Sequence, residues 1–471
     1  MLSYSGFNQA NFVKKVKMES KGMSRKDFIK KSGLGIMGLN FATMFAAPVS
    51  NNSTKLSLQS DSQFLKNSNM SYKLKNVLLE TGFLYDDDGD VVKTKTDLFS
   101  IVILDGKILE ILPNNPNDVT AINMHGLLML PSFKDMHIHL DKTYYGGAWQ
   151  ARNGKAKGVK GMIEFEKKLL PTLANETKYR AEKIIELLQK NGTSITRNHV
   201  NIEPTSKLNG LHTIQQILEA RKDSFESEIV AFPQHGVYYT DSVPYLKEAA
   251  KMDIDFIGGV DPYTLDGSIE KTIDFTVQLA LDNNKGIDIH LHETNEHGLQ
   301  TVEYIIKKVN ENPQLKNKTF LSHCFILGKV DAKTQQALAE KLANAGVGIV
   351  STIPIGNIVM PIPTLLKHNV TVYTGNDSIV DHWNSFGTGN VLEKANLMAQ
   401  LYGYSTEFDL SRCLKIATAN QLPLNDKGEQ QWPKKQDAAN VVFVDASCSA
   451  EAVARISPVK YLMHKGKFVE V

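Results

Sequence analysis

The sequence predicts an α/β protein, a (β/α)8 TIM barrel carrying a small β-sandwich-like domain built from both chain ends. Three observations predict it. Eight short apolar runs alternate with helix-like segments through the middle of the chain, as a parallel sheet requires. Both ends are instead rich in strands and Asp-Gly or Lys-Gly turns. No Gly-x-Gly-x-x-Gly follows the first central strand, which weighs against an open dinucleotide-binding sheet.

In chain order, residues 1–50 read as an address. Lys14 to Lys31 is basic, and Gly33 to Pro48 is apolar and rich in small residues, the order a signal peptide needs. Ser24-Arg25-Lys26 resembles a twin-arginine signal, with Lys26 at the second arginine position. Export through twin-arginine machinery to the periplasm or cell exterior is therefore expected. The alternative is an N-terminal amphipathic helix on a cytoplasmic protein, with a mis-assigned start upstream of Met18 or Met23. Residues 51–70, rich in Asn and Ser, read as a linker.

The small domain is expected over 71–130 and 421–471. Its strands include Leu74–Val77, Ile101–Ile103 and Ile108–Leu112 from one end, with Asn440–Asp445 and Val459–Met463 from the other. The barrel is expected over 131–420. Its strands are Leu127–Leu130 leading into His137–His139, then Ser194–Val200, Ile229–Phe232, Phe256–Val260, Ile287–His290, Thr319–His323, Gly348–Thr352 and Thr371–Thr374. Helix-like stretches such as Lys178–Gln189, Leu211–Arg221 and Gln335–Ala343 separate them.

Bulk properties narrow the function. A net charge of +2 over 471 residues gives no ground for a nucleic-acid or anionic-membrane partner. No later segment has the uninterrupted apolar length of a membrane span. Cys324, Cys413 and Cys448 form no Cys-x-x-Cys pair and read as buried free thiols, although one bridge is open to them. Oligomeric state is left open, a homo-oligomer included.

Chemistry-bearing residues fall at strand ends. His137 and His139, two apart, point the same way. His290 and His323 end two later strands, and Asp377 follows the last. In a barrel these ends share one mouth, where active sites form. Three imidazoles and a carboxylate suit one borderline divalent ion, zinc or iron.

The motifs Pro131 to Lys142, Ala231 to Gly236, His290 to Glu293, Ser322 to Cys324 and Gly375 to Ser378, in that order, resemble those of amidohydrolases. The similarity is greatest to the cytosine deaminase branch, over roughly 72–471. The resemblance implies His137, His139, His290 and Asp377 as metal ligands and Glu293 as proton shuttle. It implies His323 as the residue polarising the reacting carbon and Gln234 as the reader of a substrate amide edge. Substrate-facing roles extend to His199, Ser378 and Trp383, the last by stacking, with plain loop packing as the alternative for Trp383 and Trp149. His292 reads as structural or supporting, and Asp141 and Lys142 as organising the first loop. His235 and His382 fall on mouth-side loops, within reach of substrate on one reading and plain exposed loop histidines on the blander one.

Two features bear on subclass. Binuclear members carry a bridging lysine at the end of the fourth strand; this chain has Asp261-Pro262 there, which favours a single ion. The branch carries two adjacent acids after the last strand, and here the pair is Asp377-Ser378. The loop Pro354 to Pro361 is also apolar, so a larger or less polar ring than cytosine fits both departures. The expected activity is hydrolytic deamination of a small heterocycle by water. Release of an alkylamine or opening of a cyclic amide is the alternative, and an inactive binding module the remotest reading.

Overall fold

The computed structural model describes residues 71–470; the leader and linker expected at 1–50 and 51–70 lie outside them. Sixteen strands follow in order. They are β1 (Tyr72–Tyr85), β2 (Val91–Leu104), β3 (Lys107–Pro113), β4 (Ile122–Asn123), β5 (Leu128–Pro131), β6 (Phe133–Ile138), β7 (Thr193–Asn201) and β8 (Glu226–Phe232). Then come β9 (Phe256–Val260), β10 (Gly286–His290), β11 (Thr319–Ser322), β12 (Val347–Ser351), β13 (Val372–Thr374), β14 (Val441–Val444), β15 (Val459–His464) and β16 (Lys467–Phe468).

Strands β6 to β13 pair in sequence order, all parallel, with helices between them. Strands such as β9, β10 and β12 are buried at every position, because the barrel interior takes one face and the helices the other. The helices read as their sequences dictate. Glu296–Glu311 buries Val302, Ile305, Ile306 and Val309, the spacing of one helical face. The Asn295 side chain caps it, accepting from His297 and Gly298 N–H groups. Ala332–Ala345 starts on an Asp331 cap and stops at left-handed Gly346.

The barrel closes where β6 meets the chain after β13. Asp377 N–H donates to the His137 carbonyl at 2.7 Å, and His139 N–H donates back to the Asp377 carbonyl at 3.2 Å. The same seam that shuts the sheet thus sets the carboxylate beside both histidines. Gly375 makes the approach feasible: a Cβ there would lie 2.5 Å from the His137 backbone nitrogen. Gly375→Ala is expected to cost at least about 3 kcal/mol in urea unfolding. Gly154→Ala, where a Cβ meets nothing within 4 Å, serves as the control. Equal midpoints for the two variants would contradict this account of the seam.

Strands from both ends form the second sheet, ordered β16-β15-β14-β5-β1-β2-β3 with β4 beside β1. It has its own core of Leu74, Val77, Ile101, Ile103, Trp432, Phe443 and neighbours. β2 is far longer than Ile101–Ile103, because its first half alternates Lys and Thr with exposed positions and carries little apolar signal. Leu127–Leu130, expected to open the barrel, instead supplies β5 of this sheet, and the first barrel strand is β6, one residue (Ser132) farther on. Cys324, Cys413 and Cys448 are buried and unbridged, as their spacing suggested. No helix among the described residues is long and apolar enough to cross a membrane.

Candidate active site

Five of the predicted residues converge at the barrel mouth. His137, His290, His323 and Asp377 each offer an atom within 4.8 Å of the others. His139 Nε2 lies 3.2 Å from Asp377 Oδ1, and His137 Nε2 lies 3.3 Å from the same oxygen. His323 Nε2 stands 3.9 Å from Asp377 Oδ2. Backbone strain accompanies the convergence: φ is 67° at His323, 61° at Asp377 and 36° at Asp261. Left-handed angles are uncommon for residues with a Cβ, although Asp and His take them more readily than most.

Tautomers can be assigned from the partners. His139 Nδ1 is 3.0 Å from the His199 carbonyl, which can only accept, so Nδ1 carries the proton. Ser322 Oγ donates to Asp288 Oδ1 at 2.6 Å, which leaves it to accept from His137 Nδ1 at 2.8 Å. Both Nε2 atoms therefore aim lone pairs at a carboxylate oxygen. Burial holds His139 neutral, its pKa lowered to about 3, and pushes His290 and His323 well below the usual range. Burial alone would raise the Asp377 carboxyl, and positive charge among the surrounding histidines is what pulls it well below the usual range.

Lone pairs facing a carboxylate are unfavourable unless a cation stands between them. The orphaned atoms agree: His137 Nε2 and both ring nitrogens of His290 and of His323 are buried without a hydrogen-bond partner. At about 1–3 kcal/mol for each such group, the cluster is costly as it stands and suited to a divalent ion. These residues fit a metal.

In the Asp288–Ser322–His137 relay only Asp288 lies outside the sequence motifs, though it shares the interior face of β10 with His290. Arg197, stacked 4.1 Å from the centroids of both Phe256 and Phe320, holds Asp288 at 3.0 Å. Ser322→Ala is expected to weaken metal binding about 10–100-fold, read by competition with a chelator. An unchanged affinity would mean that the relay does not set the His137 tautomer.

Around the cluster the structure sorts the remaining residues. Glu293 is buried, its Oε1 accepting from Thr264 N–H at 2.7 Å and its Oε2 left without a partner. Burial raises its pKa, partly offset by the Thr264 bond. Asp261, where a bridging lysine was absent, accepts from the His292 and Glu293 N–H groups and from His292 Nδ1 at 2.9 Å. His292 is thus a support for the loop, its ring centroid 4.6 Å from that of His323. His199 lies fully buried with its ring centroid 4.0 Å from that of His137. Gln234 and Ser378 are buried near the mouth, whereas Trp149 is 72% exposed.

The expectation of exposed loop histidines at His235 and His382 is overturned. Both are fully buried, because Glu166 lies between them, accepting from His235 Nε2 at 2.9 Å and His382 Nε2 at 2.5 Å. Trp383 Nε1 donates to the same carboxylate at 2.9 Å. Sequence reasoning missed Glu166. The available signal was its place on the apolar face of the helix Gly158–Leu173, in register with Met162, Ile163 and Leu170.

The chain matches the amidohydrolase family model over residues 128–422. It is 45% identical over 453 residues to the uncharacterized protein YahJ of Escherichia coli (strain K12), spanning 95% of this chain and 98% of that one. The crystal structure of N-isopropylammelide isopropylaminohydrolase from Burkholderia multivorans superposes with a TM-score of 0.73 at 28% identity, over 85% of this chain and 98% of that one. That of 5-methylcytosine deaminase from Klebsiella pneumoniae gives 0.69 at 24% identity, over 84% and 97%, a likeness of fold.

Proposed function

This chain belongs to the amidohydrolase family, and we propose that it is a hydrolytic deaminase of a small cyclic amidine or aminated heterocycle. Metal-dependent hydrolysis of a non-peptide C–N bond follows from the family; the ring and the leaving group are the proposal. The observation that carries it is a buried carboxylate oxygen of Glu293, unpaired, on the loop three residues beyond His290.

His137, His139, His290 and Asp377 would hold the ion. His139 is preferred to His323 because its fixed tautomer aims Nε2 at Asp377 from 3.2 Å, while His323 Nε2 stands 3.9 Å from that carboxylate. A divalent ion there supplies water acidified to ionise near neutral pH. Asp377 Oδ2, turned to His323, accepts the water proton. Glu293, ionised at the outset, receives that proton and passes it to the ring nitrogen, then carries the hydroxyl proton of the attacked carbon to the leaving amine. Neutral His323 donates a hydrogen bond to the oxygen formed at the attacked carbon. Gln234 binds the ring edge, and Ser378 and Trp383 border it.

A second reading, release of an alkylamine, is favoured by the 28% identity to an isopropylaminohydrolase. The apolar side chains Ile355 and Val359, exposed on the loop after β12, fit it. The test is amine release by the metal-loaded chain from cytosine, isocytosine, creatinine, amino-triazines and an N-isopropylamino-triazine, with Glu293→Gln as control. Ammonia that the control abolishes supports deamination, and isopropylamine alone transfers the site to the second reading. Release of neither removes both.

A further inference from the structure

Lys142 and Glu166 take no part in the steps above, yet both are buried, Lys142 at 2% exposure and Glu166 at 0%. Burying such charges is costly unless they are paired, and the pairing here is divided between two partners. The Glu166 carboxylate already accepts from His235, His382 and Trp383, and Lys142 Nζ stands 3.6 Å from it. Lys142 instead donates its hydrogen bond to Gln234 Oε1 at 2.5 Å. Glu166 supplies the opposite charge and Gln234 the acceptor.

An ammonium has donors and no acceptor. It therefore fixes which end of the Gln234 amide faces it: the oxygen turns to Lys142 and the –NH2 group turns away. The pair also adjoins the metal cluster. Lys142 Nζ is 5.9 Å from the centroid of Phe232, whose ring stacks on His290 at 3.9 Å, and 5.8 Å from that of Trp383.

We propose that Lys142 is a positioning residue that commits Gln234 to act as a donor, so that the site selects a ring that turns a carbonyl oxygen to Gln234 over one that turns an amino group there. A ring that turns an amino group to that edge meets donor against donor. A free glutamine could rotate to serve either edge; the buried ammonium removes that freedom. The inference rests on Gln234 bordering the substrate, as in the function proposed above.

Cyanuric acid and melamine share one triazine ring and differ in carrying carbonyl or amino groups at its edges. Their binding is measured by calorimetry on the metal-loaded chain in a Glu293→Gln background, so that turnover plays no part. Cyanuric acid is expected to bind at least about tenfold tighter than melamine. Lys142→Met should bring the ratio within about threefold, and Lys142→Arg should largely keep it. Because Lys142→Met leaves Glu166 without its nearest lysine, Gln234→Glu provides an independent variant. It keeps an acceptor for Lys142, offers the ring no donor, and should reverse the preference.

A preference for melamine, equal binding or binding of neither compound would overturn the proposal. So would a ratio unmoved by both Lys142→Met and Gln234→Glu. The deaminase reading is judged separately. Discrimination without amine release from any ring leaves the positioning role and removes the deaminase, and ammonia release without discrimination does the reverse.

Discussion

Glu293→Gln should lower kcat by about 10³-fold or more with metal content and fold unchanged. The substitution is nearly isosteric, and the Thr264 N–H that donates to Oε1 at 2.7 Å can donate equally to an amide oxygen. The loop is held from elsewhere, since Asp261 accepts from the backbone of His292 and Glu293. What is lost is the proton carrier: the unpaired Oε2 becomes a nitrogen that cannot cycle a proton. The pH profile provides a second readout. A shuttle must begin deprotonated to accept a proton, so activity should rise with pH through the Glu293 pKa, which burial displaces above the ordinary carboxylate range. That acidic limb should vanish in the variant. Activity within about tenfold of wild type, with the limb intact, would remove Glu293 from the mechanism.

Asp377→Asn is expected to abolish hydrolysis and to weaken metal binding by at least about 10²-fold, a loss of roughly 3 kcal/mol. The carboxylate is the single negative ligand facing neutral imidazoles, and it is also the acceptor assigned to the water proton. Folding should survive. The backbone of residue 377 makes the seam bonds to His137 and His139, and asparagine tolerates the φ of 61° better than most residues. Without metal, the variant should melt no lower than wild type, because the imidazole lone pairs would no longer face a negative oxygen. A marked drop in the metal-free melting temperature would show that the carboxylate serves the fold instead. Activity retained at saturating metal would reassign the proton acceptor.

Much of this was legible in the sequence because strand ends in a barrel converge by topology. The residues His290, His323 and Asp377 needed no coordinates to be grouped, since each ends or follows an apolar run of strand length, whereas the run Leu127–Leu130 expected to lead into His137 and His139 lies in the other sheet. Glu293 followed from its distance beyond His290. His235 and His382 misled, since a histidine on a loop is usually solvated, and the group that buries them lies about 70 residues upstream of one and over 200 upstream of the other. Helical periodicity did hold the clue to Glu166, as a charge at a core position, but it could not name its partners.

The sequence by itself determined the barrel, the sheet from both chain ends and the set of mouth residues, because hydrophobic periodicity and strand-end position are local properties. Tertiary structure alone decided the proton positions on His137 and His139, the barrel seam at Gly375 and the direction in which the Gln234 amide points. Each depends on an atom from a distant segment arriving within about 3 Å. Hydrogen-bond direction is set by such contacts, and spacing along the chain does not encode them.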